Sequence, residues 1–293
     1  MNTIIKLTVL NALLAILISS CASFTPGWNE VAKKSSDKNL NHLMATAQKL
    51  ELTAATADEV NDVIAAYLEV EKVAPTNYSA LWKIGSYHIL MGAAHSPKIR
   101  TKKWHYREAI KYCEKAMYTN IDFANEINAG KDATEACKKL TINEIDAMGF
   151  WYTARFYYYK ECLKPIGRIL NTKIPLDNNK VIVQIDKIDP QWAGGGNNFS
   201  RALYYIATPE KFGGSKEKAD EEFTTAIQVG PNYLVNRWGR AKYLYSITGN
   251  NEGFKADMNW VIAQDPSKGG NPYAWNVYFQ NDAKKELTKM IYQ

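Results

Sequence analysis

The side chains with most capacity for chemistry are aromatic and guanidinium groups set in apolar surroundings. Phe150, Trp151, Tyr152, Phe156, Tyr157, Tyr158 and Tyr159 crowd ten positions and are apolar nearly all round a helix. A helix of that kind is buried centrally or lines an internal cavity, and its tyrosine hydroxyls need partners when buried. Trp151, Tyr152, Arg155 and Tyr158 are therefore candidates to wall a ligand cavity whose polar tips select orientation, with plain core packing as the alternative. Arg201 stands among Phe199, Ala202, Leu203, Tyr204 and Tyr205, and Arg237 among Tyr233, Leu234, Val235 and Trp238. An arginine in such company must be paired. The partner is either a structural carboxylate such as Asp220 or Glu222, or a ligand carboxylate met by two parallel hydrogen bonds. Tyr204, Tyr205 and Trp238 complete the candidate set.

Other constellations carry less. Gly194, Gly195 and Gly196 lack the Lys-Ser/Thr ending of a phosphate-binding loop and the strand before it, so a connection capped by Asn197 or Asn198 is expected. Gly213-Gly214 reads as a turn. His42, His88, His95 and His105 show neither a two-His helical spacing nor a Cys-His cluster, so no metal and no cofactor are expected. There is no Gly-x-Ser-x-Gly elbow, the carboxylates are scattered over charged faces, and no catalytic set emerges. Lys and Arg alternate with Asp and Glu, as from Lys216 to Glu222, so no basic block points to nucleic acid.

Lys6, an apolar run of about a dozen residues from Leu7 to Ile18, and Ser19-Ser20-Cys21 make a signal peptide over 1–20. The run is shorter than the roughly 20 residues a permanent span needs. Ile18-Ser19-Ser20-Cys21 resembles a bacterial lipobox, which implies cleavage before Cys21 and acylation of its sulfur and freed amine. Ala22-Ser23 lacks the aspartate of inner-membrane retention, so the expectation is an envelope protein on the outer membrane, facing the periplasm. Loss of Lys6 leaves 35 basic against 30 acidic residues, a formal charge of +5. Cys113, Cys137 and Cys162 then remain in an oxidising compartment, and a Cys113–Cys137 bridge across the irregular stretch between them could add about 3 kcal/mol. Three buried thiols is the alternative.

These groups need elements to hold them. Residues 21–37, with Pro26, Gly27 and a polar run from Lys33 to Lys38, read as a tether of about 15 residues reaching up to roughly 50 Å. From Leu40 onward, apolar residues recur at three and four, as in Val60, Val63, Ile64, Tyr67, Leu68 and Val70, so 38–293 is expected to be a single helical domain. Val181-Ile182-Val183 with Ile185, after an expected turn at Asp177-Asn178-Asn179, is the one isolated strand signal. Ala219, Phe223, Ala226 and Pro231 match the second-helix signature of a tetratricopeptide unit at every spacing. Val63, Tyr67, Val70 and Pro75 repeat it with larger residues, and Ala109, Cys113 and Ala116 repeat it without the proline. Small residues let two helices approach, the aromatic fills the groove, and proline stops the helix. Pro165 and Gly167, Ser215, Gly249 and Pro266 punctuate about ten or eleven helices. Long inserts between the units exclude a regular solenoid. The fold class is therefore all-α, with irregular tetratricopeptide-like hairpins in a compact bundle or superhelix enclosing a cavity or pore.

The stretch Pro209 to Ala219, with four residues between Gly213-Gly214 and Ala219 and then Phe223 and Ala226, resembles the Gly-Gly-x-x-x-x-Ala hairpin of the T component of TRAP transporters. Leu81 to Gly85, Tyr112 to Ala116, Phe150 to Tyr159, Arg201-Ala202-Leu203 and Asn281 to Lys285 follow in the order of that family, over roughly 50–290. The resemblance implies a periplasmic lipoprotein built of helix hairpins around an apolar cavity or pore, with no catalytic residues. It further implies a periplasmic solute-binding protein as partner, a homo-oligomer, and an organic, hydrophobic acid as solute. The inserts from Asn120 to Asn143 and from Asn171 to Gln191 depart from the family. The rival function is a tetratricopeptide lipoprotein scaffold for envelope assembly that binds extended peptide, and an envelope hydrolase would require convergent carboxylates or histidines near Trp151.

Overall fold

The computed structural model describes residues 22–30 and 39–291, and Cys21 with the stretch read as a signal peptide lies outside them. Helices α1 (Leu40–Glu51) and α2 (Ala57–Val73) form the first hairpin, and α3 (Tyr78–Leu90) and α4 (Ile99–Met117) the second. Short helices α5 (Ile121–Asn128) and α6 (Ala133–Ala136) lead to the aromatic helix α7 (Ile145–Tyr157). After α8 (Pro165–Leu170) and α9 (Lys173–Ile188) comes a third hairpin, α10 (Trp192–Ala207) with α11 (Lys216–Val229). The last helices are α12 (Leu234–Gly239), α13 (Asn251–Ala263) and α14 (Tyr273–Ile291). Among the described residues there is no strand. Val181, Ile182 and Ile185 sit on one buried face of α9, and Asp177, Asn178 and Asn179 are helical rather than a turn. The run at 181–185 looks strand-like because α9 buries consecutive β-branched residues at helical spacing.

Punctuation and packing explain the joints. Thr56 and Glu59 form a reciprocal capping box on α2, Asn77 caps α3, and the Ser215 hydroxyl accepts from Lys218 N–H at the start of α11. Gly249 stops the helix before it at φ 72°. Ala219, Phe223 and Ala226 are fully buried, and the Phe223 ring meets Phe199 edge-on at 5.6 Å. A Cβ on Gly85 would fall 2.6 Å from Cys113 Sγ, so α3 and α4 touch where Gly85 meets the repeat residue Cys113. Three helices widen into π turns, at Met91–His95 after α3, Tyr158–Cys162 after α7, and Arg240–Tyr245 after α12.

The array closes on itself. Trp275 on α14 donates its indole N–H to Ser86 Oγ on α3 at 3.3 Å. One large apolar core runs through the molecule, and a smaller cluster of Ala202, Leu203, Ala219, Phe223 and Leu244 lies beside it. Phe156, Phe199 and Tyr243 touch both. Of the stretch read as a tether, Ala22 to Glu30 is docked on the body. Gly27 N–H donates to Glu114 Oε2 at 2.7 Å, Glu30 pairs with Lys111 at 2.8 Å, and Phe24 packs edge-on to Tyr158 at 5.1 Å. No helix among the described residues is long and apolar enough to cross a membrane.

Candidate functional site

Helix α7 stands between two cavities. On one side Phe150, Tyr152, Thr153, Phe156 and Tyr157 face a chamber of about 590 Å³, closed by residues of α9, α10 and α14 such as Ile182, Leu203 and Phe279. None of its lining residues is an Asp, Glu, Lys or Arg. Such a wall disfavours an ionised group, which would lose its hydration without gaining a counter-charge. The polar groups that reach it are neutral. Tyr152 Oη and Ser200 Oγ share a hydrogen bond at 3.0 Å, and Asn178 Nδ2 donates to the Tyr152 carbonyl at 3.0 Å. Thr172, Leu176, Ala207, Pro209 and Phe212 line the chamber while exposed to solvent, and so form a rim.

A kink at the start of α10 shapes this wall. Ala193, Gly194 and Gly195 have φ of 51°, 58° and 87°. A Cβ on Gly195 would lie 2.7 Å from Ala226 Cα, so the glycine provides both the left-handed turn and the close approach to α11. Trp192 is thereby laid on Gly149 of α7, with its indole N–H donating to Asp146 Oδ1 at 3.0 Å. Asn197 and Asn198 do not cap this loop. Their amides donate to Asp186 and Glu222, because the helix has begun before they are reached.

On the opposite side of α7, Trp151 and Arg155 line a second cavity of about 180 Å³ with Phe24, Glu114, Asp132, Lys173 and Asp177. The Trp151 indole N–H donates to Glu114 Oε1 at 3.1 Å, and the Arg155 guanidinium lies over the Trp151 ring at 4.3 Å. Burial pushes the Glu114 carboxyl up to about 7, opposed by the Gly27 and Trp151 N–H groups and the Arg155 charge. Burial likewise lowers the Arg155 value. Each carboxylate is engaged: Glu114 by Gly27 and Trp151, Asp177 by Lys173 and by Arg155 at 3.5 Å, Asp132 by Thr134 N–H at 2.9 Å and Lys173 at 3.2 Å. This polar knot escaped sequence reasoning, because α4, α6, α7 and α9 supply one or two members each. The available signal was Glu114 in the buried run of α4 between Cys113 and Ala116.

The structure thus parts the candidate residues. Tyr152 and Tyr204 line the chamber, and Trp151 and Arg155 the smaller cavity. Tyr158 meets Phe24 edge-on and lies beside Arg107. Arg201 pairs with Asp186 and, at 2.9 Å, with Glu222, and Arg237 meets Asp257 at 3.0 Å. Tyr205 and Trp238 lie outside both linings, and the Trp238 indole donates to Asp282 at 2.8 Å. Cys113, Cys137 and Cys162 are buried free thiols, the alternative to the possible Cys113–Cys137 bridge, and the Cys113 sulfur is turned onto Gly85. Among the described residues no cluster of His, Cys, Asp and Glu could hold a metal ion.

Comparison with known proteins adds three findings. No curated protein matches the chain. A solved structure of the assembly chaperone of RpL4 (Acl4, residues 1–338) is similar at a TM-score of 0.37 and 11% identity, covering 86% of this chain and 98% of that one, too loose a likeness to bear on function. The family model of the TRAP transporter T-component matches residues 91–290, a span that holds the aromatic helix, the kinked hairpin and every wall of the chamber. The chain belongs to the T-component family of TRAP transporters.

Proposed function

We propose that this accessory component of a TRAP transporter is a non-enzymatic, periplasm-facing lipoprotein, acylated at Cys21, that holds a solute with a large apolar part and works with a periplasmic solute-binding protein. The observation that carries this reading is the charge-free aromatic chamber of about 590 Å³ in a chain of this family. Its size suits a small organic ligand. A hydrophobic acid fits in its protonated form, or with its carboxylate at the rim, since no guanidinium reaches the interior. An extended peptide would instead be held by backbone hydrogen bonds along an open groove, whereas this chamber is walled mostly by apolar and aromatic side chains.

Native mass spectrometry of the purified chain tests the proposal. A co-purified apolar molecule is expected, and Leu203→Trp, which fills the chamber, should lose it while retaining the fold by circular dichroism. A wild-type chain that carries nothing, and whose melting temperature is unmoved by medium-chain fatty acids or alcohols, would put the peptide scaffold ahead. The partner is tested by cross-linking in intact envelopes, where recovery of a periplasmic solute-binding protein is expected.

A further inference from the structure

Helix α8 has no buried residue. A helix that contributes nothing to the core is normally polar outward, yet Ile166 and Ile169, one turn apart on the same face, are 70% and 71% exposed. Leu176, just beyond on α9, is 55% exposed. Lys164 and Arg168 flank the isoleucines, and neither has a carboxylate partner among the described residues; Arg168 is held by the carbonyls of Lys160 at 2.6 Å and Leu163 at 3.1 Å. An apolar face ringed by unneutralised cations is the composition of a segment that lies in a membrane interface.

Two further contacts say where this face sits. Ala22 N–H donates to Asn171 Oδ1 at 2.7 Å, and Asn171 in turn donates to the Gly167 carbonyl at 2.7 Å. The chain thus enters the fold at the end of α8. Cys21 directly precedes Ala22 in the sequence, so acyl chains on it would leave the body near the end of α8 that carries Ile169. The chamber is joined to the same place. Tyr159, which lines it, donates its hydroxyl to the Arg168 carbonyl at 3.2 Å, and the rim residues Thr172 and Leu176 follow α8 directly.

We propose that α8 is a membrane foot: Ile166 and Ile169 insert into the headgroup and acyl boundary beside the Cys21 anchor, seating the rim of the chamber at Leu176 against the bilayer surface. This rests on the lipoprotein reading above. The anchor alone leaves a body free to rotate. A second apolar contact fixes its orientation, and an apolar solute could pass between lipid and chamber without crossing open water.

The test uses the full-length acylated chain with single introduced cysteines at Ile166, Ile169, Leu176 and, as a control of equal exposure elsewhere, Ile121, which is 70% exposed. The three native thiols in the described fold are buried. Each variant carries an environment-sensitive fluorophore and is reconstituted into phosphatidylethanolamine and phosphatidylglycerol vesicles containing doxyl-labelled lipid. Quenching at 166 and 169 at least threefold above that at 121, with clear quenching at 176, is the expected result. Equal quenching at 121 and 166 overturns the foot, and quenching at 166 and 169 but not 176 overturns the placement of the rim. A blue shift without lipid quenching, in a chain that migrates as a multimer, assigns the face to a second copy and also overturns it. Intact mass reads acylation of Cys21 separately, so loss of the anchor is distinguished from an anchored chain whose foot stays in water.

Discussion

Asp257 is 2% exposed and receives Arg237 Nη1 at 3.0 Å and Arg240 Nε at 2.7 Å. Removing the carboxylate strands two guanidinium groups, so Asp257→Ala is expected to cost about 3–5 kcal/mol in urea unfolding. Arg201 sits between Asp186 and Glu222 in a more hydrated setting. Arg201→Ala should therefore cost roughly 1–3 kcal/mol and leave any ligand in the chamber in place. Glu114 gives a pH signature. Its folded value is raised to about 7 from an ordinary 4.5 by burial, so its stabilising contribution is complete below about pH 4.5 and disappears as pH rises through 7. The difference in unfolding free energy between the wild type and Glu114→Gln should shrink by up to about 3 kcal/mol over that window, and a difference independent of pH would contradict the burial. That Arg201 and Arg237 need acidic partners was legible from their apolar neighbours, and Glu222 was among the named candidates. Asp186 and Asp257 were not legible, because the crossing of helices that brings them in has no periodicity to read.

At the scale of elements, the kink at the start of α10 is the most exacting piece. Gly195→Ala places a methyl against the Ala226 backbone at positive φ and is expected to lose at least about 1–3 kcal/mol. Ala193, with φ 51°, is strained in the other sense. Ala193→Gly should be neutral or stabilising by about 1 kcal/mol in urea midpoints, and a clear loss would show that the methyl is needed against its neighbours. The hairpins themselves were visible in the chain. Ala219, Phe223 and Ala226 announce the α10–α11 contact, Gly85 and Cys113 the α3–α4 contact, and Ser215 and Gly249 the helix ends. The run at 181–185 gave an isolated strand signal because an interior helix face and a buried strand share Val and Ile. The π turns were invisible, since each adds a residue to a turn without any special side chain to mark it, and they shift the apolar pattern out of phase beyond Met91, Tyr158 and Arg240.

At the scale of the whole molecule, the chamber is lined by residues of both apolar clusters, which Phe156, Phe199 and Tyr243 bridge. A ligand that fills it completes the core. An occupant at a hundred times its dissociation constant should add about 2.7 kcal/mol to stability, read as a rise in melting temperature that Leu203→Trp abolishes. The junction of Trp275 with Ser86 also ties the last helix to the second hairpin. Tryptophan fluorescence and far-ultraviolet circular dichroism are therefore expected to report one coincident urea transition, whereas an open array would lose its ends first.

That seam has a consequence for descent. Open helical repeats lengthen and shorten by copying or dropping a hairpin, since each unit leans only on its neighbours. Here an extra or missing internal pair would carry Trp275 away from Ser86 and open the wall that Trp275 and Phe279 give the chamber. Duplication is closed to such a chain as a route to new binding partners, and its divergence is confined to the connections and to the side chains that face inward.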